Sequence, residues 1–263
     1  MDLHDKVAVI TAAGGGGCGR AIAKRLAREG CWVVASDVDR AGADETVREI
    51  GTDGGRAVAM RCDVAEESDL RALFATAQAE FGGVDFVINN AGPYFGGGPL
   101  DHWFETINST LVSVMRTTLF GIEALRLRGG GAIVNIGSTS ALGHGYKHSP
   151  WPGYDIAKAG VIRLTTTLGW LGEKEKVRVN CLIPGWIASD EVAAYVATVP
   201  AAERAARGVP KTLISLDEVA DAVLRLATDE RLAGRLLLMR NDERPALVSL
   251  NDPGFASLET DPL

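Results

Sequence analysis

The chain has 263 residues, 46% hydrophobic and 23% charged, enough for one large α/β domain with a sizeable core. A formal net charge of −7 and a pI near 5.2 argue against the basic surface that binds nucleic acid. No apolar run reaches the roughly 18 residues of a membrane span, and the start, MDLHDKVAVITAAG, lacks the basic-then-apolar order of a signal peptide. Cys18, Cys31, Cys62 and Cys181 form no close pair, so neither a metal site nor a disulfide framework is indicated. The expectation is a cytoplasmic protein with reduced thiols, a small-molecule substrate, and no membrane or nucleic-acid partner.

Along the chain, the apolar run at 6–11 predicts a first strand, and glycines follow it directly. Residues 20–29 carry Ile22 and Leu26 one turn apart and stop at Gly30, a helix with a glycine end. A strand at 31–36, a helix at 40–50 and a strand at 56–61 come next. Leu70, Leu73, Phe74, Ala77 and Phe81 share one face of a helix over 66–81. A fourth strand is read at 84–89, a long helix at 104–127 and a fifth strand at 132–137, where IVNI is apolar at nearly every position. A helix over 154–171 and a strand at 178–183 follow. Ser215-Leu216-Asp217-Glu218 has capping-box spacing and opens a helix to 228. A seventh strand lies at 235–239, and 246–250 stands as one further candidate after the polar turn at 241–244.

Strands alternating with helices, and apolar on both faces, predict a Rossmann-type, doubly wound, mainly parallel sheet of seven strands with helices on both faces. One dinucleotide-binding and catalytic domain is expected over 1–263. Its substrate loops are placed at about 93–99, 143–153 and 186–212, and its tail at 240–263.

Strand, glycines, then helix is the setting in which backbone N–H groups and a helix N-terminus meet a pyrophosphate. Gly14, Gly16 and Gly19 fit G-x-G-x-x-G, although so many glycines satisfy several patterns. Asp37 ends the second strand, where a carboxylate accepts from both adenosine ribose hydroxyls and repels a 2′-phosphate. With no Lys or Arg in the glycine run or directly before Asp37, NAD is expected in preference to NADP. Asp63 and Val64 follow the third strand, near the expected adenine edge, and Asn89-Asn90-Ala91-Gly92 follows the fourth. Tyr154 and Lys158 are four apart on one helix face, and a nearby ammonium favours a phenolate. Ser138 closes the fifth strand at the end where open α/β sheets bind ligands.

The glycine loop, Asp37, Asp63, NNAG at 89–92, IVNIGS at 133–138, YDIAK at 154–158 and PGWIAS at 184–189 together resemble the short-chain dehydrogenase/reductase family, over about residues 5 to 240. The resemblance implies that Tyr154 is the general acid/base, that Lys158 binds the nicotinamide ribose and lowers the tyrosine pKa, and that Ser138 orients the substrate oxygen. It assigns Asn108 to a water-linked proton path. It assigns Gly14, Gly17, Cys18, Gly19, Asp37, Asp63, Val64, Asn90, Ala91, Gly92, Tyr154, Lys158, Pro184, Gly185, Ile187 and Ser189 to the cofactor, with the Ile187 backbone on its carboxamide. It also implies dimers or tetramers through the long fourth and fifth helices. The sequence departs from the family at three places. By either count, forward to Ala12 or back to Ala13, an alanine replaces the first glycine in a loop one residue longer than usual. Gly14, Gly15 and Gly16 are expected to absorb the extra residue through positive φ, and Gly17–Gly19 to meet the phosphates. The interval from Ser138 to Tyr154 is long, which leaves Ser140 as a rival to Ser138. The C-terminus lacks the family's D-G-G, which puts the family's C-terminal subunit contacts in doubt.

Tyr94, Tyr146, Trp151 and Trp186 are aromatic in a chain only 6% aromatic and are read as substrate contacts, for an apolar or cyclic secondary alcohol or ketone. The alternative is a non-catalytic NAD-binding scaffold or sensor on the same fold. The departure at the first glycine supports it, and the intact Ser138, Tyr154 and Lys158 oppose it.

Overall fold

The computed structural model describes residues 2–92, 100–142, 151–250 and 252. Strand β1 (Val7–Thr11) leads into α1 (Cys18–Arg28), β2 (Trp32–Asp37) into α2 (Arg40–Thr52), and β3 (Arg56–Arg61) into α3 (Glu67–Phe81). Strand β4 (Phe86–Asn89) precedes α4 (Trp103–Ile107), a π-helical turn (Asn108–Val112) and α5 (Ser113–Leu127). Then come β5 (Gly131–Ile136), α6 (Pro152–Thr167), α7 (Leu171–Glu175) and β6 (Val177–Pro184). The described chain ends with α8 (Asp190–Thr198), α9 (Leu216–Thr228), β7 (Leu236–Met239) and β8 (Ala246–Leu247).

The sheet order is β3-β2-β1-β4-β5-β6-β7-β8. All pairings are parallel except the last, where Leu237 and Leu238 pair antiparallel with Leu247 and Ala246. The sheet therefore has eight strands among the described residues, not seven. A short return after the turn at 241–244 reaches the open edge of β7 only in the antiparallel sense. The expected long helix at 104–127 is also divided, because the backbone widens into the π turn at Asn108.

Side chains alternate across the sheet. Ala8 and Ile10 of β1 pack with Ile22 and Leu26 of α1 and with Val219 and Val223 of α9. Val7 and Val9 face the opposite layer, with Leu70 and Leu73 of α3 and Ile122 and Leu125 of α5. Helices on both faces explain why the strands are apolar on both sides. Local chemistry sets several helix ends. Ser215 and Glu218 form a reciprocal capping box on α9, Asp39 accepts from the Ala41 N–H at the start of α2, and Pro152 opens α6.

Buried amides interrupt this apolar pattern. Asn89 Nδ2 donates to Asn135 Oδ1 at 2.8 Å and to Thr118 Oγ1 at 3.2 Å. Asn135 Nδ2 then donates to Thr165 Oγ1 on α6 at 2.9 Å. Asn89 and Asn135 are register partners in β4 and β5, so the rung runs from the end of β4 into the helix that carries Tyr154.

Candidate active site at the carboxyl ends of the strands

The chain reverses its winding direction between β1 and β4, and the candidate site lies beyond the carboxyl ends of β1, β2, β4, β5 and β6. A cleft of about 660 Å³ there brings together Ala12, Asp37, Asp63, Val64, Ala91, Gly92 and Asn108. Residues far apart in the sequence thus line one space.

The glycine loop is held by contacts that glycine alone permits. A Cβ on Gly19 would lie 2.0 Å from the Ala12 carbonyl oxygen, and one on Gly14 would lie 2.8 Å from the Asp37 Cβ. Gly15 and Gly17 have open space around them. Gly17 is the N-cap of α1, and neither a side-chain cap nor an acid in the first turn occupies that helix end. Free N–H groups at an uncapped helix N-terminus suit an anion such as a pyrophosphate. The extra residue is not absorbed as expected, because none of the glycines at 14–19 has positive φ. Ala12 takes the left-handed conformation instead, with φ of 53°. The loop needs its glycines for space against Asp37 and Asn90, and the left-handed residue comes before the glycine run, at Ala12.

Asp37 holds this loop as well as facing the cleft. One oxygen accepts from the Gly14 N–H at 2.8 Å and the other from the Asp39 N–H at 3.0 Å. Arg20, just past the glycines, donates to the Gly14 carbonyl at 2.6 Å and pairs with Glu49 at 3.0 Å. Asp63 accepts from the Ala65 N–H at 2.9 Å. Asn90 spends its side-chain amide on the Thr11 and Ala12 carbonyls, both at 3.1 Å, so its side chain clamps the end of β1. The Thr11 hydroxyl accepts from the N–H groups of Asn90 and Ala91 at 3.1 and 3.0 Å. Thr11 was not among the residues read from the sequence, and only its place before the glycines pointed to it.

At the ends of β5 and β6, Tyr154 and Lys158 share one face of α6. The Lys158 Nζ lies 5.6 Å from the centre of the Tyr154 ring and donates to the Ile136 carbonyl at 2.7 Å. Lys158 is buried, and burial pulls its ammonium down from 10.5 to about 8. The Tyr154 phenol moves the other way, pushed up by burial, while its hydrogen bond with Ser138 opposes the rise. The shift therefore runs opposite to the lowering expected from the lysine, with burial as its largest cause. Ser138 is also hydrogen-bonded to Ser140, whose hydroxyl lies 3.0 Å away. The geometry thus sets Ser138 against Tyr154 and Ser140 behind Ser138. Asn108 begins the π turn and lines the cleft.

Strand β6 ends at Pro184; Gly185, Trp186 and Ile187 follow at the sheet end, and Ser189 caps α8 by accepting from the Val192 N–H. Trp186 packs on Tyr195 of α8, with ring centres 5.9 Å apart. Cys18, the first residue of α1, has a thiol pushed up to about 11 by burial, so it is no ready nucleophile. Trp151 is half-exposed at the start of α6. Tyr94 and Tyr146 lie outside the described residues. Among the described residues, no group of three or more His, Cys, Asp or Glu could hold a metal ion, and no helix is long and apolar enough to cross a membrane.

The family model described as enoyl-(acyl carrier protein) reductase matches residues 12–233. A cis-4-hydroxycyclohexanecarboxylate dehydrogenase from Sinomonas cyclohexanicum is 35% identical over 231 residues, covering 86% of this chain and 90% of that one. The chain belongs to the short-chain dehydrogenase/reductase family. A 3beta-hydroxysteroid dehydrogenase 1 from Eggerthella lenta is 34% identical over 239 residues, covering 87% of this chain and 89% of that one. A 7 alpha-hydroxysteroid dehydrogenase, solved with NADH and 7-oxo glycochenodeoxycholic acid, superposes with a TM-score of 0.80 at 28% identity, covering 90% of this chain and 93% of that one. Membership supports an oxidoreductase acting on CH–OH groups, and the solved relative with NADH holds a nicotinamide cofactor.

Proposed function

We propose that this family member is an NAD-dependent dehydrogenase acting on an apolar or cyclic secondary alcohol/ketone pair, with Tyr154 as general acid/base. The observation that carries the reading is the convergence of Ser138, Tyr154 and Lys158 at the end of β5, the first two hydrogen-bonded and the third buried beneath the ring. When bound, the nicotinamide accepts or supplies the hydride. Tyr154 exchanges the proton with the substrate oxygen, and Ser138 orients that oxygen. Lys158, anchored on the Ile136 carbonyl, sets positive charge beside the phenol and would hold the nicotinamide ribose. Asn108 links Lys158 to solvent through water.

The NAD preference rests on Asp37 and on the engagement of the nearby guanidinium groups. Arg20 is tied to Glu49 and the Gly14 carbonyl, which keeps its guanidinium on the loop, and Arg40 pairs with Asp44 at the surface. The ring-shaped substrate class draws on the relatives, whose names specify a hydroxycyclohexane acid and hydroxysteroids. Trp186 and Trp151 supply apolar surface of matching kind. The homo-oligomer reading draws on Phe104, Met115, Leu119 and Ile156, which stand exposed on α4, α5 and α6.

The test is nicotinamide absorbance with NAD and NADP across cyclic and acyclic secondary alcohols and their ketones. Turnover with NAD and a ring alcohol, lost in Tyr154→Phe, is the expected result. Binding of NAD with no turnover on any ring alcohol would favour a sensor instead.

A further inference from the structure

The turn between β7 and β8 carries Asn241 and Asp242. Asn241 reaches across to the turn after β6, and Asp242 to the segment before α9. Asn241 Oδ1 accepts from the Trp186 N–H at 2.8 Å, and Nδ2 donates to the Trp186 carbonyl at 2.8 Å and to the Thr212 carbonyl at 2.9 Å. The amide thus satisfies both main-chain groups of one residue, as a neighbouring strand would. Asp242 accepts from the N–H groups of Lys211 and Thr212 at 3.1 and 3.0 Å. The two segments so held also pair with each other. The Ile214 N–H donates to the Trp186 carbonyl at 2.9 Å, and the Ala188 N–H to the Ile214 carbonyl at 2.8 Å, on either side of an Ile187–Ile214 bridge. Gly185 makes room for the brace, since a Cβ there would lie 2.2 Å from Asn241 Oδ1.

We propose that Asn241 and Asp242 are positioning residues for the nicotinamide end of the site. By fixing Trp186 and Ile187 against residues 211–214, they hold the backbone and indole that meet the nicotinamide ring and the substrate. This deepens the dinucleotide-dependent reading above and rests on it. Asn241 and Asp242 make no hydrogen bond to the glycine loop, Asp37 or Asp63, so their loss is expected to act mainly on the nicotinamide end of the cofactor.

That asymmetry supplies the test. Fluorescence titration uses whichever of NADH and NADPH the unmodified chain binds more tightly, and in parallel the matching ADP-ribose, which lacks the nicotinamide. Asn241→Asp keeps the side chain's size but turns two donated bonds into contacts between oxygens. It is expected to weaken dinucleotide binding about ten-fold while leaving ADP-ribose within about two-fold. Asp242→Gly removes two acceptors at a position whose φ of 62° suits glycine, and is expected to give a two- to five-fold loss of the same selectivity. This second variant keeps the test intact if the first fails to fold. Equal weakening of both ligands, or no change in either, would overturn the assignment. If the unmodified chain binds neither ligand, the dinucleotide reading itself falls, and the brace's role with it.

Discussion

Two turns that follow parallel strands of the sheet, after β1 and after β7, hold a non-glycine residue in the left-handed region, and they do so at different cost. Ala12, with φ of 53°, follows β1, and Asp242, with φ of 62°, follows β7. The methyl group of Ala12 offers no hydrogen bond in return, so its strain is carried by the glycines and Asn90 packed around it. Asp242 accepts two backbone N–H groups, and an aspartate tolerates this conformation better than an alanine does. The first turn is therefore strained for the sake of loop geometry alone. The second exchanges backbone freedom for a connection across the sheet end.

The largest expected effect comes from the chemistry between these turns. Tyr154→Phe should lower kcat by about 10²–10⁴-fold while leaving the dinucleotide dissociation constant nearly unchanged. A comparable loss of binding would mean that Tyr154 supports the fold of the site. Gly19→Ala comes next, since its methyl group would press on the Ala12 carbonyl and force the loop apart. A loss of about 1–3 kcal/mol in stability and of measurable cofactor binding is expected, read by thermal melting and titration.

Lys158 separates the site from both turns through pH. Its ammonium is held at about 8 when folded, against 10.5 ordinarily, so between those values the unfolded chain binds more protons at this position. The group's destabilising contribution is fully present below pH 8 and fades as pH rises toward 10.5. Ligand-free wild type should therefore gain up to about 1 kcal/mol per pH unit relative to Lys158→Met across that window. Parallel melting curves for the two proteins would remove Lys158 from that account.

The two turns themselves should respond with opposite sign. Asp242→Gly relieves strain but loses two acceptors, for a net destabilisation of about 1 kcal/mol. Ala12→Gly relieves strain and loses nothing, for a net gain of about 0.5–1 kcal/mol, or roughly 2 °C in Tm. Changes of the same sign in both variants would break the contrast between them.

Much of the architecture was legible because its signals are local. The capping box at Ser215, the face carrying Leu70, Leu73 and Phe81, and the apolar IVNI run each report on their own neighbourhood. Tyr154 and Lys158 were legible for the same reason, being one helical turn apart. Contacts made across the sheet were not legible. Asn241 meets Trp186, and Asn90 meets Ala12, only once the strands are ordered. The glycine run misled in a specific way. Glycines signal both freedom of φ and lack of bulk, and the composition could not say that this loop uses the second. The eighth strand was legible as a candidate at 246–250 but not in its extent, because its two residues are defined by the edge they meet.

The buried amide rung at the end of β4 bears on how the sheet chooses its alignment. Strands covered on both faces have no inside and outside, so a slip of one residue between β4 and β5 would still bury Val, Ile and Ala side chains. The same slip would separate Asn89 from Asn135 and leave amides unpaired in a dry interior, at about 1–3 kcal/mol for each group. The rung thus makes one alignment right and its neighbours wrong where the apolar residues are indifferent. The spacing between the end of β4 and the helix of Tyr154 is thereby fixed by two asparagines buried between the strands and α6.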